Sequence, residues 1–288
     1  MHPVAIAAVL LAALTHATWN LAAKRASGSR NFVWLYSLGS TVMYAPAVLW
    51  VLLGERPQFE TAHWLALLMT GILHMGYSLV LQAGYRVSDL SLVYPLARGT
   101  GPLLSFLAAT FLLKEPANLY SVLGVLLIVG GILLVSGLIG PHQPHKAPRA
   151  GIALGMLTGV FIAGYTINDG WAVKTLMLSP FLIDFTGNVL RLTVLSPLAL
   201  KDPAALIAEA KTYRTPILIV AVLGPLGYIL VLYAMKHAPI GHVAPMRELA
   251  TLVGTYFGAR LLKEEVTPIR LTGAILIVSG VIALAATG

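Results

Sequence analysis

Apolar stretches about twenty residues long recur along this chain, separated by short polar breaks, and they lack the alternating polar and apolar pattern of a transmembrane barrel. A hydrocarbon core about 30 Å deep takes about 20 residues of helix at 1.5 Å each. The pattern predicts ten such helices, near 3–23, 31–53, 62–83, 91–113, 118–138, 150–172, 180–198, 215–235, 241–262 and 268–286, called spans 1 to 10 in this section. Leu, Ala, Val and Ile fill them, and a helix satisfies its own backbone groups where lipid offers no partner. The expected fold class is therefore an all-α integral membrane protein.

The pattern occurs twice. Residues 76–83 read GYSLVLQA and 227–234 read GYILVLYA, while LLKE stands at both 112–115 and 261–264. In the register set by LLKE, Arg98 falls on Arg247, Gly124 on Gly273 and Gly131 on Gly280. Ten spans divide as five plus five, and an odd number forces the second half to start from the opposite side, so two inverted five-helix repeats are expected. The first repeat is 1–139, the linker 140–150 and the second repeat 151–288. In the linker, GPHQPHKAPRA, the prolines, histidines and basic residues break the apolar pattern. His142 and His145 there have no carboxylate or cysteine near them, which reads as a solvated joint sooner than as a metal site.

Composition sharpens the membrane reading, with 58% of residues hydrophobic and only 10% charged. The absence of cysteine excludes disulfides, thiolate metal sites and cysteine nucleophiles. No P-loop, HExxH or GxSxG occurs, so neither ATP-driven transport by this chain nor hydrolase chemistry is expected. The chain is read as no enzyme and as needing no cofactor. The formal charge of +8 is placed for membrane orientation and not for nucleic acid. Arg56, Lys114, Lys174 and Lys236 fall on one side, and Lys24, Arg25, Arg30, Arg86, Lys146, Arg149, Lys201, Lys211, Arg214, Arg260 and Lys263, with Arg270 near the same boundary, on the other.

The repeated residues carry a resemblance. HATWNLAAKR near the end of span 1, SLVYPLARGTGPLLSFLAATFLLKEP through span 4 and HVAPMRELATLVGTYFGARLLKEE through span 9 resemble the ten-helix EamA-like members of the drug/metabolite transporter superfamily. The resemblance extends over the whole chain, and at the level of substrate it points to the YddG-like aromatic amino-acid exporters. It implies a secondary transporter of the bacterial inner membrane, an exporter of small metabolites such as amino acids.

Independently of the resemblance, Arg98 and Arg247 lie about seven and six residues inside their spans, roughly 10 Å from the face where each enters. An arginine at that depth costs roughly 2.5–3.5 kcal/mol, so each should face a wet cavity or a partner. Two roles stay open: pairing with an acid such as Glu248 to lock the repeats together, or offering a planar guanidinium to a substrate carboxylate. Tyr94, Arg98, Gly101, Ser105 and Ala108 share one helical face, expected to be a cavity wall, and Arg247, Thr251, Gly254 and Gly258 form the comparable stripe. Tyr77 and Tyr228 are repeat-related and lie mid-span, with His74 one turn from Tyr77. The candidate substrate-binding set is Tyr77, Tyr94, Arg98, Tyr228, Arg247, His74 and Glu248.

Trp19 and Asn20 correspond to Asn168 and Asp169 after a shift of 149 residues. Inversion would put these polar bands near opposite membrane faces, as gates or packing contacts. Asp169, Asp184 and Glu248 are acids that could carry a coupling proton, unless Arg191 or Arg247 holds them ionised. Pro95, Pro102, Pro225 and Pro245 are candidate hinges.

The expected function is secondary transport by alternating access through a central cavity between the repeats, with spans 3, 4, 8 and 9 as its main walls. The expected partners are a small-molecule substrate, the lipid bilayer and a coupling proton, in a functional monomer. A carrier of nucleotide sugars or phosphorylated metabolites is the alternative within transport, and a non-transporting membrane scaffold the alternative outside it. The charge bias places both termini outside the cell. A reporter fused to either terminus should therefore be accessible from outside, and a reporter found in the cytoplasm would reverse the orientation.

Overall fold

The structure of the protein, a computed structural model, describes residues 1–26, 31–88, 90–136, 149–253 and 267–287. Every regular element among these residues is a helix. In order they are α1 (Pro3–Lys24), α2 (Phe32–Gly54), α3 (Thr61–Val87), α4 (Leu90–Phe111), α5 (Leu119–Val135), α6 (Arg149–Lys174), α7 (Pro180–Ala199), α8 (Pro203–Thr212), α9 (Arg214–His237), α10 (Ile240–Met246) and α11 (Pro268–Thr287). Seven of them, α1, α2, α3, α6, α7, α9 and α11, are long and apolar enough to cross a membrane, and α5 is a shorter apolar helix. Residues 137–148, with most of the linker, and 254–266, with the second LLKE, Gly254 and Gly258, lie outside the described residues.

Two elements depart from the expected pattern. The ninth span begins as α10, turns at Arg247 and Glu248, and is helical again over 249–253. Helix α8 occupies the break before α9. Its cap is Asp202, which accepts from the Ala205 amide at 3.0 Å, and its Glu209 accepts from the Asn31 amide at 2.9 Å. Ten residues with a single buried leucine, Leu206, are too short to span a bilayer.

The two halves pack as equivalents. α2 lies against α7, α4 against α10 and α5 against α11, each helix meeting its own counterpart, while α1 packs on α9 and α6 on α3, the same contact with the halves exchanged. This exchange is what a two-fold relation between repeats produces. The pairs run antiparallel: Trp34 donates to Ser196 Oγ at 2.9 Å near one end of α2, and Tyr44 packs against Phe181 toward the other.

Between α5 and α11 the crossing is closest. Gly124 faces Gly280 and Gly131 faces Gly273, so each glycine meets the counterpart of the other. A Cβ on Gly131 would stand 2.5 Å from the Gly273 carbonyl oxygen, and one on Gly124 would stand 2.9 Å from that of Gly280. Lipid gives helices no hydrophobic incentive to associate, so this backbone approach supplies dispersion contact instead.

Proline is accommodated by partners from the other half. Pro225 inside α9 has no N–H to give the Ala221 carbonyl, and the Ser40 hydroxyl on α2 donates to that oxygen at 3.0 Å. One turn away Tyr44 donates to the Val222 carbonyl at 2.7 Å. The α2–α9 contact is thus polar where Pro225 costs α9 a backbone hydrogen bond.

Gly131→Ala should lower stability by about 1–3 kcal/mol through overpacking. Gly130→Ala, where a Cβ meets nothing within 4 Å, should not. Thermal unfolding of the two variants in detergent separates them, and equal midpoints would show that the seam tolerates a side chain.

Candidate functional site

A cavity of about 230 Å³ opens among α1, α2, α3, α4, α6, α7 and α9, with Arg247 reaching in from the turn after α10. It is lined by both halves of the chain. Its polar groups fall into three clusters.

The first surrounds Arg98. Its Nη1 donates to Glu248 Oε1 at 3.0 Å, its Nε to the Tyr94 hydroxyl oxygen at 3.1 Å, and its Nη2 lies 3.0 Å from His16 Nε2. A guanidinium has no acceptor, so His16 Nε2 accepts and its ring proton sits on Nδ1. Tyr94 is one helical turn before Arg98, which is why the local sequence brings them together. Every nitrogen of Arg98 is therefore engaged, and its carboxylate partner belongs to the second repeat.

Arg247, its repeat counterpart, is held differently. It makes two long contacts, Nη1 to Thr166 Oγ1 at 3.4 Å and Nη2 to the Tyr165 hydroxyl at 3.5 Å. Its guanidinium carbon lies 5.9 Å from the Tyr165 ring centre and 5.8 Å from that of Tyr228, within cation–π range. Among the described residues no carboxylate forms an ion pair with it, because the adjacent Glu248 is turned to Arg98.

The second cluster is built on Asp169, which is fully buried. Asn168 Nδ2 donates to Asp169 Oδ1 at 2.8 Å, while Oδ2 accepts from the Tyr228 hydroxyl at 2.5 Å and lies 3.1 Å from His74 Nε2. His74 stacks on Tyr165 at 4.1 Å, and Tyr77 meets the edge of Tyr165 at 5.9 Å. A third cluster runs along α7, where Asp184 Oδ2 accepts from Asn188 Nδ2 at 2.8 Å and Asn188 Oδ1 accepts from Arg191 Nη1 at 3.2 Å. Arg191 also lies over the Tyr36 ring at 5.9 Å.

Of the residues singled out from sequence, Tyr77, Tyr94, Arg98, Tyr228, Arg247 and His74 line the cavity, and Glu248 stands behind it as the partner of Arg98. Trp19 and Asn20 also line it, and Asn168 and Asp169 sit immediately behind His74 and Tyr228. The two polar bands thus border one cavity. Both reach the same interior because α1 packs on α9 and α6 on α3. The face below Arg98 differs from expectation. A Cβ on Gly101 would stand 2.6 Å from Ile162, and Ser105 is fully buried, so this stretch seats α4 on α6 and does not line the cavity.

His16, Tyr36, Tyr165 and Asn188 were not chosen from sequence, yet all four line the cavity. Tyr165 carried a usable signal, lying one turn before Asp169. His16 lay within the repeated-family stretch HATWN but offered no spacing that tied it to an arginine.

An all-helical chain with membrane-length helices, two equivalent halves and a polar cavity lined by both has the build of a membrane transporter. The chain belongs to the EamA-like transporter family, which it matches over residues 3–137 and again over 149–286, one copy in each half. Members of that family are transporters and not enzymes. No curated protein matches the chain. One solved crystal structure is similar over 98% of this chain and 96% of its own, with 19% identity and a TM-score of 0.75, a likeness of fold.

Removing Glu248 would leave the Arg98 charge unpaired in the interior. Glu248→Gln should cost about 3–5 kcal/mol of stability, and the double variant Arg98→Met with Glu248→Leu should recover part of it. Thermal unfolding of the three proteins tests this, and a single variant as stable as wild type would remove the ion pair as a tie between the halves.

Proposed function

We propose that the protein is a secondary transporter of small amino acids and related zwitterionic metabolites, aromatic ones among them, and that it works as an exporter in a bacterial inner membrane. The observation that carries this reading is Arg247. A guanidinium at membrane depth, with two long hydroxyl contacts and no carboxylate partner among the described residues, is prepared for an anion from outside the fold. Tyr77, Tyr165 and Tyr228 beside it give a ring or aliphatic side chain a surface to pack on. Asp184, on the α7 wall, has an amide partner but no ion-pair partner among the described residues, and it supplies an acceptor for an ammonium group. Arg98 belongs to the framework, its nitrogens already committed.

The size of the cavity supports a small cargo. At about 230 Å³ it falls below the roughly 300–1,000 Å³ of sites for drug-sized ligands, which disfavours a nucleotide sugar. A phosphorylated metabolite would call for several convergent cations, whereas here Arg98 is paired with Glu248, Arg191 is bound to Asn188 along α7, and Arg247 stands beside Tyr165 and Tyr228.

Two inverted five-helix repeats, ten spans in all, would rock about this cavity to expose it to each side in turn. The prolines inside helices α4, α9 and α10 provide bending points, and one chain contains the whole path, so the working unit is a monomer.

Counterflow of labelled amino acids into proteoliposomes holding the purified protein is the test, with phosphorylated metabolites as controls. Saturable uptake of phenylalanine, tryptophan or another amino acid is expected, falling at least tenfold in Arg247→Ala while the folded fraction is unchanged. Uptake of phosphorylated compounds alone, or undiminished transport by Arg247→Ala, would overturn the assignment.

A further inference from the structure

We infer that His74 and Asp169 form a proton-binding pair whose loading is linked to the occupancy of Arg247 by an anion. The inference rests on the reading of Arg247 given above, but its test needs no substrate.

Asp169 has no exposed surface, and a buried carboxylate within a membrane protein is stable as an ion only where donors and positive charge compensate it. Donors are present in Asn168 and Tyr228. The third neighbour, His74 Nε2 at 3.1 Å, shares one proton with the carboxylate in either protonation state of the pair. With Nδ1 bare the pair carries one negative charge, and a second proton on the imidazole makes it neutral. That proton has a route. His74 lines the cavity with 18% of its side chain exposed, whereas Asp169 is sealed, so solvent in the cavity supplies the proton and the imidazole receives it.

The link to Arg247 runs through two tyrosines. Tyr228, whose hydroxyl donates to Asp169, presents its ring to the Arg247 guanidinium at 5.8 Å. Tyr165, which stacks on His74, presents its ring at 5.9 Å and its hydroxyl to Arg247 Nη2. From the elements around the pair, the titratable or charged groups are His16 on α1, His74 and Tyr77 on α3, Tyr94 and Arg98 on α4, Tyr165 on α6, Asp184 and Arg191 on α7, Tyr228 on α9 and Arg247. Arg98 is committed to Glu248 and Arg191 lies with Asn188 and Asp184 along α7, so Arg247 is the cation left to balance ionised Asp169.

The carboxylate of a zwitterion arriving on Arg247 cancels that positive charge while its ammonium goes to Asp184 on α7, which leaves the His74–Asp169 pair one negative charge without its counter-charge. Uptake of one proton by His74 restores the balance. Anion and proton therefore favour each other's binding, and by reciprocity each strengthens the other by the same factor.

The experiment is a pH titration of the His74 imidazole by ¹⁵N NMR in the full 288-residue chain in lipid nanodiscs, with the signal assigned from its loss in His74→Gln. Arg247→Gln reproduces the charge change that a bound carboxylate makes. It should move the His74 midpoint upward by about one pH unit, a tenfold change in proton affinity. Tyr228→Phe removes a donor to the ionised carboxylate and should move it the same way, which keeps the link testable if Arg247→Gln does not fold. Asp169→Asn should move the midpoint down. A midpoint unchanged in Asp169→Asn, or moved as far by Asp184→Asn, would overturn the pair. A midpoint unchanged in both Arg247→Gln and Tyr228→Phe would overturn the link. Absence of amino-acid counterflow would sink the proposed cargo and leave these titrations standing.

Discussion

A guanidinium inside a bilayer has to be met by other polar groups, and the interior of this protein is arranged around how Arg98 is met. Three partners from three places converge on it: His16 on α1, Tyr94 on its own helix, and Glu248 from the turn after α10. Glu248 reaches it from the turn at 247–248, where the ninth segment interrupts its helix after Met246. The break also turns Arg247 away from its sequence neighbour and toward the tyrosines. One ion pair between the halves thus sets the two repeat-related arginines apart, Arg98 holding a carboxylate and Arg247 facing tyrosines.

Packing at the periphery follows different physics from packing at the centre. α5 and α11 contribute nothing to the cavity wall, and they meet along glycines where the backbones themselves touch. The central helices instead carry the prolines and polar side chains, and they satisfy one another across the interface, as Ser40 does for the carbonyl that Pro225 leaves without a donor. In lipid, tight apolar contact and hydrogen bonding between helices are the two available ways to hold them together, and the fold uses them in separate places.

Much of this was legible in the chain. Span lengths followed from bilayer thickness, and the duplicated GY and LLKE stretches gave the division into halves. Arg98, Arg247, Tyr77 and Tyr228 stood out because polar residues at mid-span demand a reason. The pairing rule between repeats was the missing information. Without knowing that α1 packs on α9 and α6 on α3, the bands at Trp19 and Asp169 could not be brought to one interior. The roles of Gly101 and Tyr165 were likewise set by which neighbour each meets, Ile162 in one case and His74 with Arg247 in the other, and neither contact leaves a periodic trace. Helix α8 was hidden for another reason, since ten residues with a single buried leucine read as loop against apolar spans.

The repeat is not perfect where it matters most. Glu248 corresponds, after the shift of 149 residues, to Gly99, a residue with no side chain, whose added Cβ would meet only α5 at 3.7 Å. A machine made of two identical inverted halves would be its own mirror in function, equally content facing either way. Asp169, Asp184 and Glu248 have no acidic counterpart in the first copy, where Asn20, Leu35 and Gly99 stand, so the negative charge of the interior comes from one half alone and marks that half off from the other.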